Sequence, residues 1–155
     1  MKATFTTSRN NKKVVYDMKI EKDGDVYEIN CLDKSGQSMG FVTFEIFNKY
    51  LWIYKIETKE EFQHQGVGSA LLKMIEYFAM QNGKNQIEAK YYPSNQYAKP
   101  LYEKHGYFIP NQKGTWEDYD ETWTMSKWLD FKQIKKFARD IKIEKEKDDE
   151  EITIE

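Results

Sequence analysis

A single cysteine, Cys31, and two histidines, His64 and His105, stand in the 155 residues. One thiol closes no intrachain disulfide, and no Cys/His cluster has zinc spacing, so neither a disulfide framework nor a metal centre is expected. No apolar run approaches the roughly 18 residues that a membrane-spanning helix needs. The opening Met1-Lys2-Ala3-Thr4-Phe5 lacks the long apolar segment of an export signal. A soluble, cytoplasmic protein with no membrane partner is expected. Charge of one sign is also missing: a net −2 gives no global attraction to nucleic acid, so no nucleic-acid partner is expected either. Nothing recurs at a fixed period, which excludes a solenoid, and the length fits one domain with one core.

What is present begins with β patterning. Residues 1–11 are polar and weakly patterned, and are expected to fray or to add a marginal edge strand. From Lys13 to Ile20, apolar Val14, Tyr16, Met18 and Ile20 alternate with polar neighbours. The turn signal Lys22-Asp23-Gly24-Asp25 and the run Val26 to Leu32 complete a hairpin. Phe41 to Phe47 reads as a third strand, and Tyr50 to Thr58, nearly continuous in apolar and aromatic residues, as a fourth covered on both faces. Val67, Leu71, Ile75 and Phe78 then recur at helical spacing up to the C-cap signal Asn82-Gly83.

Gln86 to Tyr92 is a fifth strand stopped by Pro93, and Ser94-Asn95 offers an N-cap to a second helix ending near Lys104. Pro100 places the first turn of that helix close to itself. Tyr107-Phe108-Ile109 and Thr122 to Trp128 are the last strands of the domain, with a loop from Pro110 to Gly114. Four strands, helix, strand, helix and two strands make an α+β domain over 1–129, on one mixed, mostly antiparallel sheet of six to seven strands. Phe131, Ile134, Phe137 or Ala138, and Ile141 extend it with an amphipathic C-terminal helix over 130–147, followed by an acidic, mobile tail over 148–155. That helix packs on its own sheet or on a second subunit, which leaves a homodimer open.

Between the fourth strand and the first helix lies Gln63-His64-Gln65-Gly66-Val67-Gly68-Ser69-Ala70. A chain passing from strand to helix here directs the unpaired N–H groups of residues 65–70 outward, together with the positive end of the helix dipole. A pyrophosphate fits such a place. Two glycines one residue apart permit backbone angles and close approach that other residues resist.

Gln63-x-x-Gly66-x-Gly68 resembles the Gln/Arg-x-x-Gly-x-Gly/Ala motif of the GNAT superfamily of acyl-CoA-dependent N-acetyltransferases. Asn95-x-x-Ala98-x-x-Leu101-Tyr102-x-x-x-Gly106-Tyr107 is similar to that superfamily's second signature. The resemblance covers about residues 50–110. It implies acetyl-CoA as cosubstrate and a sheet splayed between the fourth and fifth strands. The backbone of Ile56, Glu57 and Thr58 would bind the pantetheine arm, and His64, Gln65, Gly66, Val67, Gly68 and Ser69 the pyrophosphate. Asn95 would contact the arm, with Tyr102 near the sulfur. Two departures stand out. Only Glu21 to Asp25 separate strands between which the family usually inserts acceptor-walling helices, so the acceptor side is expected to be open, or walled by the Trp116 loop or the tail helix. Lys90 stands where some relatives carry a catalytic glutamate.

Acetyl transfer to a primary amine needs that amine neutral, yet at a pKa near 10.4 only about 0.04% is neutral at pH 7. Glu57, on the strand beside the thioester, is the first candidate base, with Glu88 or a water chain as rivals; Tyr102 is the candidate acid for the departing thiolate. The other reading of Glu57 is a solvated or salt-bridged strand carboxylate, and that of Tyr102 a helix tyrosine packed beside Leu101. His64 is also read as a loop histidine, and Cys31 as a buried hydrophobe rather than an acetyl carrier. Tyr91, Tyr92, Trp116 and Tyr119 are candidates to line a pocket for a cationic amine, or ordinary strand aromatics. The expected function is an N-acetyltransferase with direct attack in a ternary complex, on a small-molecule or protein amine. The alternatives are a non-catalytic acyl-CoA-binding or protein-interaction module, and a turn that binds nothing.

Overall fold

The computed structural model describes residues 1–91, 95–109 and 123–145. Eight strands form one sheet: β1 (Lys2–Arg9), β2 (Lys12–Asp23), β3 (Val26–Leu32), β4 (Ser38–Ile46), β5 (Leu51–Thr58), β6 (Gln86–Tyr91), β7 (Trp123–Trp128) and β8 (Ile141–Glu144). Their spatial order is β7-β6-β5-β4-β3-β2-β1-β8. Every neighbouring pair is antiparallel except β5 and β6, whose connection is the helix α1 (Val67–Gln81). Two shorter helices follow, α2 (Ala98–Lys104) and α3 (Phe131–Ala138).

The first eleven residues do not fray. β1 pairs with β2 along its whole length, from Lys2↔Lys19 to Arg9↔Lys12. The connection is Asn10-Asn11, both at positive φ (52° and 64°), the two-residue turn whose twist matches that of the strands. On its other edge β1 pairs with β8. That second pairing corrects the tail as well. The amphipathic helix stops at Ala138 rather than running to 147, and Ile141, read as its next inward residue, is the buried start of a strand. Phe137 packs edge-on to Phe5 of the same chain, their ring centres 6.2 Å apart. The predicted strand Tyr107 to Ile109 is only a bridge, Phe108 to Ser126. Pro93, the loop from Pro110, and the acidic tail lie outside the described residues.

One face of the sheet carries the core. Ile20, Ile29, Val42, Phe44, Leu51 and Ile53 are fully buried beneath Leu71, Leu72, Ile75 and Phe78 of α1. Tyr27 stacks on Phe44 (5.1 Å, 10°), and Phe78 meets Phe44 edge-on at 5.3 Å. Each such side chain contributes about 1.5–3 kcal/mol by leaving water. α1 ends in a Schellman motif, with Lys84 N–H bonded to Ala79 O, Gly83 N–H to Met80 O, and Gly83 at φ +73°. In α2, Asn95 Oδ1 accepts from the backbone of Tyr97 and Ala98, both at 3.1 Å. Pro100 sits in the first turn, where its missing N–H has no helical partner to lose.

Candidate active site

β5 contains a bulge at the point where the site opens. Against β4 the register runs Thr43↔Lys55 and then Phe44↔Ile53, so Tyr54 is the extra residue. Pairing with β6 ends at the same place, the last pair being Ile53↔Ala89. A bulge bends and twists its strand, which carries Lys55 to Thr58 away from β6 and opens a splay.

The glycine turn closes the wide end of that splay. A single 3-10 turn, Glu60–Phe62, leads into it, and the motif side chain Gln63 donates from Nε2 to Thr58 O at 3.2 Å, holding the turn against the strand it leaves. His64 and Gly66 both have positive φ (65° and 83°). Two carbonyls of the turn are tied back: Arg9 donates to His64 O at 3.0 Å and Tyr16 Oη to Gln65 O at 2.7 Å. Gly66 is the N-cap of α1, no side chain caps the helix, and its first turn holds no acidic residue. The orphan N–H groups there, with the helix dipole behind them, are a site for an anion.

A cavity of about 760 Å³ lies on this turn. Its wall takes in Thr58, His64, Gly66 to Ala70, Tyr97 and Leu101, with the cations Arg9, Lys73 and Lys104, and holds no Asp or Glu among the described residues. His105 Nε2 is 2.8 Å from Ser69 Oγ. Burial first, then the charges of Lys127, Lys104 and Lys73, push the His105 pKa down to about 4, so this imidazole is neutral at pH 7. Tyr97 Oη lies 2.5 Å from Thr58 Oγ1, and burial raises its pKa although the Thr58 bond opposes this. An uncapped, acid-free helix start in a cation-walled cavity fits a polyphosphate, and the unpaired β5 edge beyond Ile53 offers backbone groups to an extended arm.

The predicted site residues divide. Thr58, His64, Gly66, Val67, Gly68 and Ser69 line the cavity. Ile56 is buried on β5, and Gln65 turns its side chain back to Glu61 O at 3.3 Å. Asn95 spends its side-chain oxygen on the α2 backbone. Glu57 is exposed on the opposite face, 3.4 Å from Lys55 Nζ. Tyr102 is fully buried, 5.1 Å from the Tyr107 ring, and is not part of the cavity wall. Neither phenol has a hydrogen-bond partner among the described residues, and burial pushes both pKa values well up. Cys31 is buried with its thiol pushed up to about 12, chiefly by burial, so it presents no thiolate to carry an acetyl group. Of the predicted acceptor aromatics, Tyr91 is buried, while Tyr92, Trp116 and Tyr119 lie outside the described residues.

Sequence reasoning missed Arg9, Tyr16, Lys73, Tyr97, Lys104 and His105. Arg9 was hidden because the pattern of residues 1–11 predicts fraying or at most a marginal edge strand; the signal for the full hairpin is the Asn10-Asn11 pair. Lys73 is one helical turn beyond Ser69, and that spacing places it on the cavity side. Tyr97 and His105 occupy variable positions of the second signature, where no pattern marks them.

Residues 4–107 match the sequence model of the family described as Acetyltransferase (GNAT) family. Solved structures agree in fold. Nourseothricin acetyltransferase is 20% identical at a TM-score of 0.60, over 83% of this chain and 85% of that one. An acetyltransferase from Bacillus cereus ATCC 14579 is 27% identical at 0.57, over 67% and 73%. A GNAT family acetyltransferase from Elizabethkingia anophelis, solved with acetyl-CoA bound, is 20% identical at 0.56, over 68% and 77%. No curated protein matches the chain. No helix among the described residues is long and apolar enough to cross a membrane. With its family model matched over residues 4–107, well more than half its length, the chain belongs to the GNAT acetyltransferase family.

Proposed function

We propose that this protein transfers acetyl from acetyl-CoA to a primary amine by direct attack in a ternary complex. The observation that carries the reading is the start of α1: uncapped, free of acidic residues, and facing a cavity walled by Arg9, Lys73 and Lys104. The N–H groups of Val67, Gly68 and Ser69 would hold the diphosphate, and the free edge of β5 from Ile56 to Thr58 the amide arm. Acetyl-CoA, when bound, supplies an acyl carbon with a thiol leaving group. An N–C bond forms as the C–S bond breaks; the amine gives up a proton to a carboxylate and the sulfur gains one.

Tyr102 is the proposed donor, by its place in the second signature; its raised pKa keeps it protonated at every physiological pH. The proposed acceptors of the amine proton are Glu57 and Glu88, both on the sheet face away from α1. Glu88 is the register partner of Trp52, one pair from where the splay begins.

The second reading, a non-catalytic acyl-CoA-binding module, is favoured by the enclosure of Tyr102 and by the absence of a carboxylate from the described cavity wall. Calorimetric titration with CoA, followed by thiol release from acetyl-CoA across an amine panel, separates the two. Binding with release supports transfer; binding with no release for any amine supports the module; no binding removes both.

A further inference from the structure

Resting on the acetyl-transfer reading, we infer that the acceptor is a small aliphatic polyamine, held on the sheet face away from α1 by Trp52 between the carboxylates of Glu45 and Glu88. An extended arm entering the splay from the glycine turn passes about four residues of β5, roughly 13 Å, before the rejoined strands stop it. The stop is the Ile53↔Ala89 pair. On the face away from α1 the adjoining position is Trp52, which pairs with Glu45 on β4 and Glu88 on β6. Leu51, Ile53, Phe44 and Ala89 are buried in the core, so strand alternation places the side chains of Glu45, Trp52 and Glu88 together on the other face.

These groups are fixed in place. Tyr54, 37% exposed, meets Trp52 edge-on at 6.3 Å and donates from Oη to Glu45 Oε1 at 2.8 Å. Glu88 accepts from Gln86 Nε2 at 2.5 Å and from Ser126 Oγ. Two strand spacings separate Glu45 from Glu88, about 10 Å with an indole between them. A chain of four or five carbons with an ammonium at each end spans that arrangement, and the ring face attracts either cation.

The same face already holds one primary ammonium in this way: Lys55 Nζ lies 5.8 Å over the Phe41 ring and 3.4 Å from Glu57. The turn cavity is walled by the cations Arg9, Lys73 and Lys104, while on the face away from α1 Glu45 and Glu88 flank Trp52, with Lys55 and Lys90 on that face as well. A polyanion and a polycation are thereby drawn to opposite entrances of one splay.

The test compares 1,4-diaminobutane with 1-aminobutane, equal in length and differing by one charge, in thiol release at low salt, with a lysine-containing peptide as a third acceptor. The diamine is expected to exceed both others in kcat/KM by about ten-fold or more, the size of one close charge contact. Glu45→Gln and, as a second variant, Trp52→Leu are expected to raise its KM by a similar factor while the Kd for CoA stays at the parent value. Equal kcat/KM for diamine and monoamine, preference for the peptide, or a parental KM in both variants overturns the inference. If CoA binds but no amine releases thiol, the transfer reading falls, and calorimetry of 1,4-diaminobutane into the CoA-loaded protein decides this site separately. Binding that Glu45→Gln abolishes upholds it, and absence of binding overturns it.

Discussion

Thr58 Oγ1 and Tyr97 Oη, 2.5 Å apart, join the end of β5 to the residue before α2 across the mouth of the splay. The phenol rests on Gly68. A Cβ there would collide with Tyr97 Oη and come within 2.8 Å of Leu101 Cδ2. Gly68→Ala is therefore expected to cost about 1–3 kcal/mol of stability by overpacking, read as a lower urea midpoint at unchanged m. It is also expected to weaken CoA binding roughly ten-fold or more. Adding Tyr97→Phe, which removes the colliding oxygen, should recover part of both losses; strictly additive losses would show that the two groups do not meet.

Tyr102 joins a structural liability to a proposed chemical role. Its hydroxyl is buried with no partner among the described residues, and an unmade buried hydrogen bond costs about 1–3 kcal/mol. Tyr102→Phe is expected to leave stability unchanged or raised while thiol release slows by about 10²-fold or more, the range of a lost general acid. A variant as fast as the parent would remove Tyr102 from the mechanism and turn attention to Tyr97 and Tyr16, the phenols on the cavity wall among the described residues.

His105 sets a pH dependence. Its folded pKa is about 4, and the unfolded imidazole titrates near 6.5, so between these values the unfolded chain binds the extra proton. Stability from this group is present in full above pH 6.5 and is lost as pH falls toward 4. In His105→Gln the urea midpoint should vary less across that window, and the difference between variant and parent isolates the imidazole from the carboxylates that titrate beside it. A polyanion bound on Ser69 offsets the charges of Lys73, Lys104 and Lys127, so CoA binding near pH 5 should take up protons. Calorimetry in buffers of different ionisation enthalpy measures that uptake, and no uptake would place the phosphates away from His105.

The strands and α1 were legible because their signals are local: alternation from Val14 to Ile20, the stripe from Val67 to Phe78, and the Asn82-Gly83 stop. β1 and β8 were not, because each is a polar segment that is a strand only through its partners, β1 between β2 and β8 and β8 at the sheet edge. Phe5 and Ile141 acquire a meaning when Phe5↔Ile141 pairs residues 136 positions apart. The helical spacing of Phe131, Ile134 and Phe137 continued by chance onto Ile141, although Arg139 and Asp140 had already turned the chain. Of the candidate site, the sequence carried two motifs and their order. Arg9, Tyr16 and Tyr97 reach the turn from distant or unpatterned positions, and the placement of Glu45, Trp52 and Glu88 depends on a bulge at Tyr54 that no residue type announces.

Beside the cavity, Lys127 Nζ is 2.7 Å from Glu76 Oε1, with side chains 22% and 7% exposed. Burial raises the Glu76 pKa, and Lys127, then Lys73, hold it back. Removing the lysine leaves a buried carboxylate without its main counter-charge, which costs about 3–5 kcal/mol when such a pair is broken. Lys127→Met should therefore destabilise strongly at pH 8. The cost should be smaller at pH 5, because Glu76, its pKa raised further, takes up a proton and becomes neutral. The double variant Glu76→Leu with Lys127→Met should return close to the parent, since it leaves no unpaired charge in the interior. Urea midpoints at the two pH values check all three statements, and a single variant equally destabilised at both would show that Lys127 acts through packing rather than through charge.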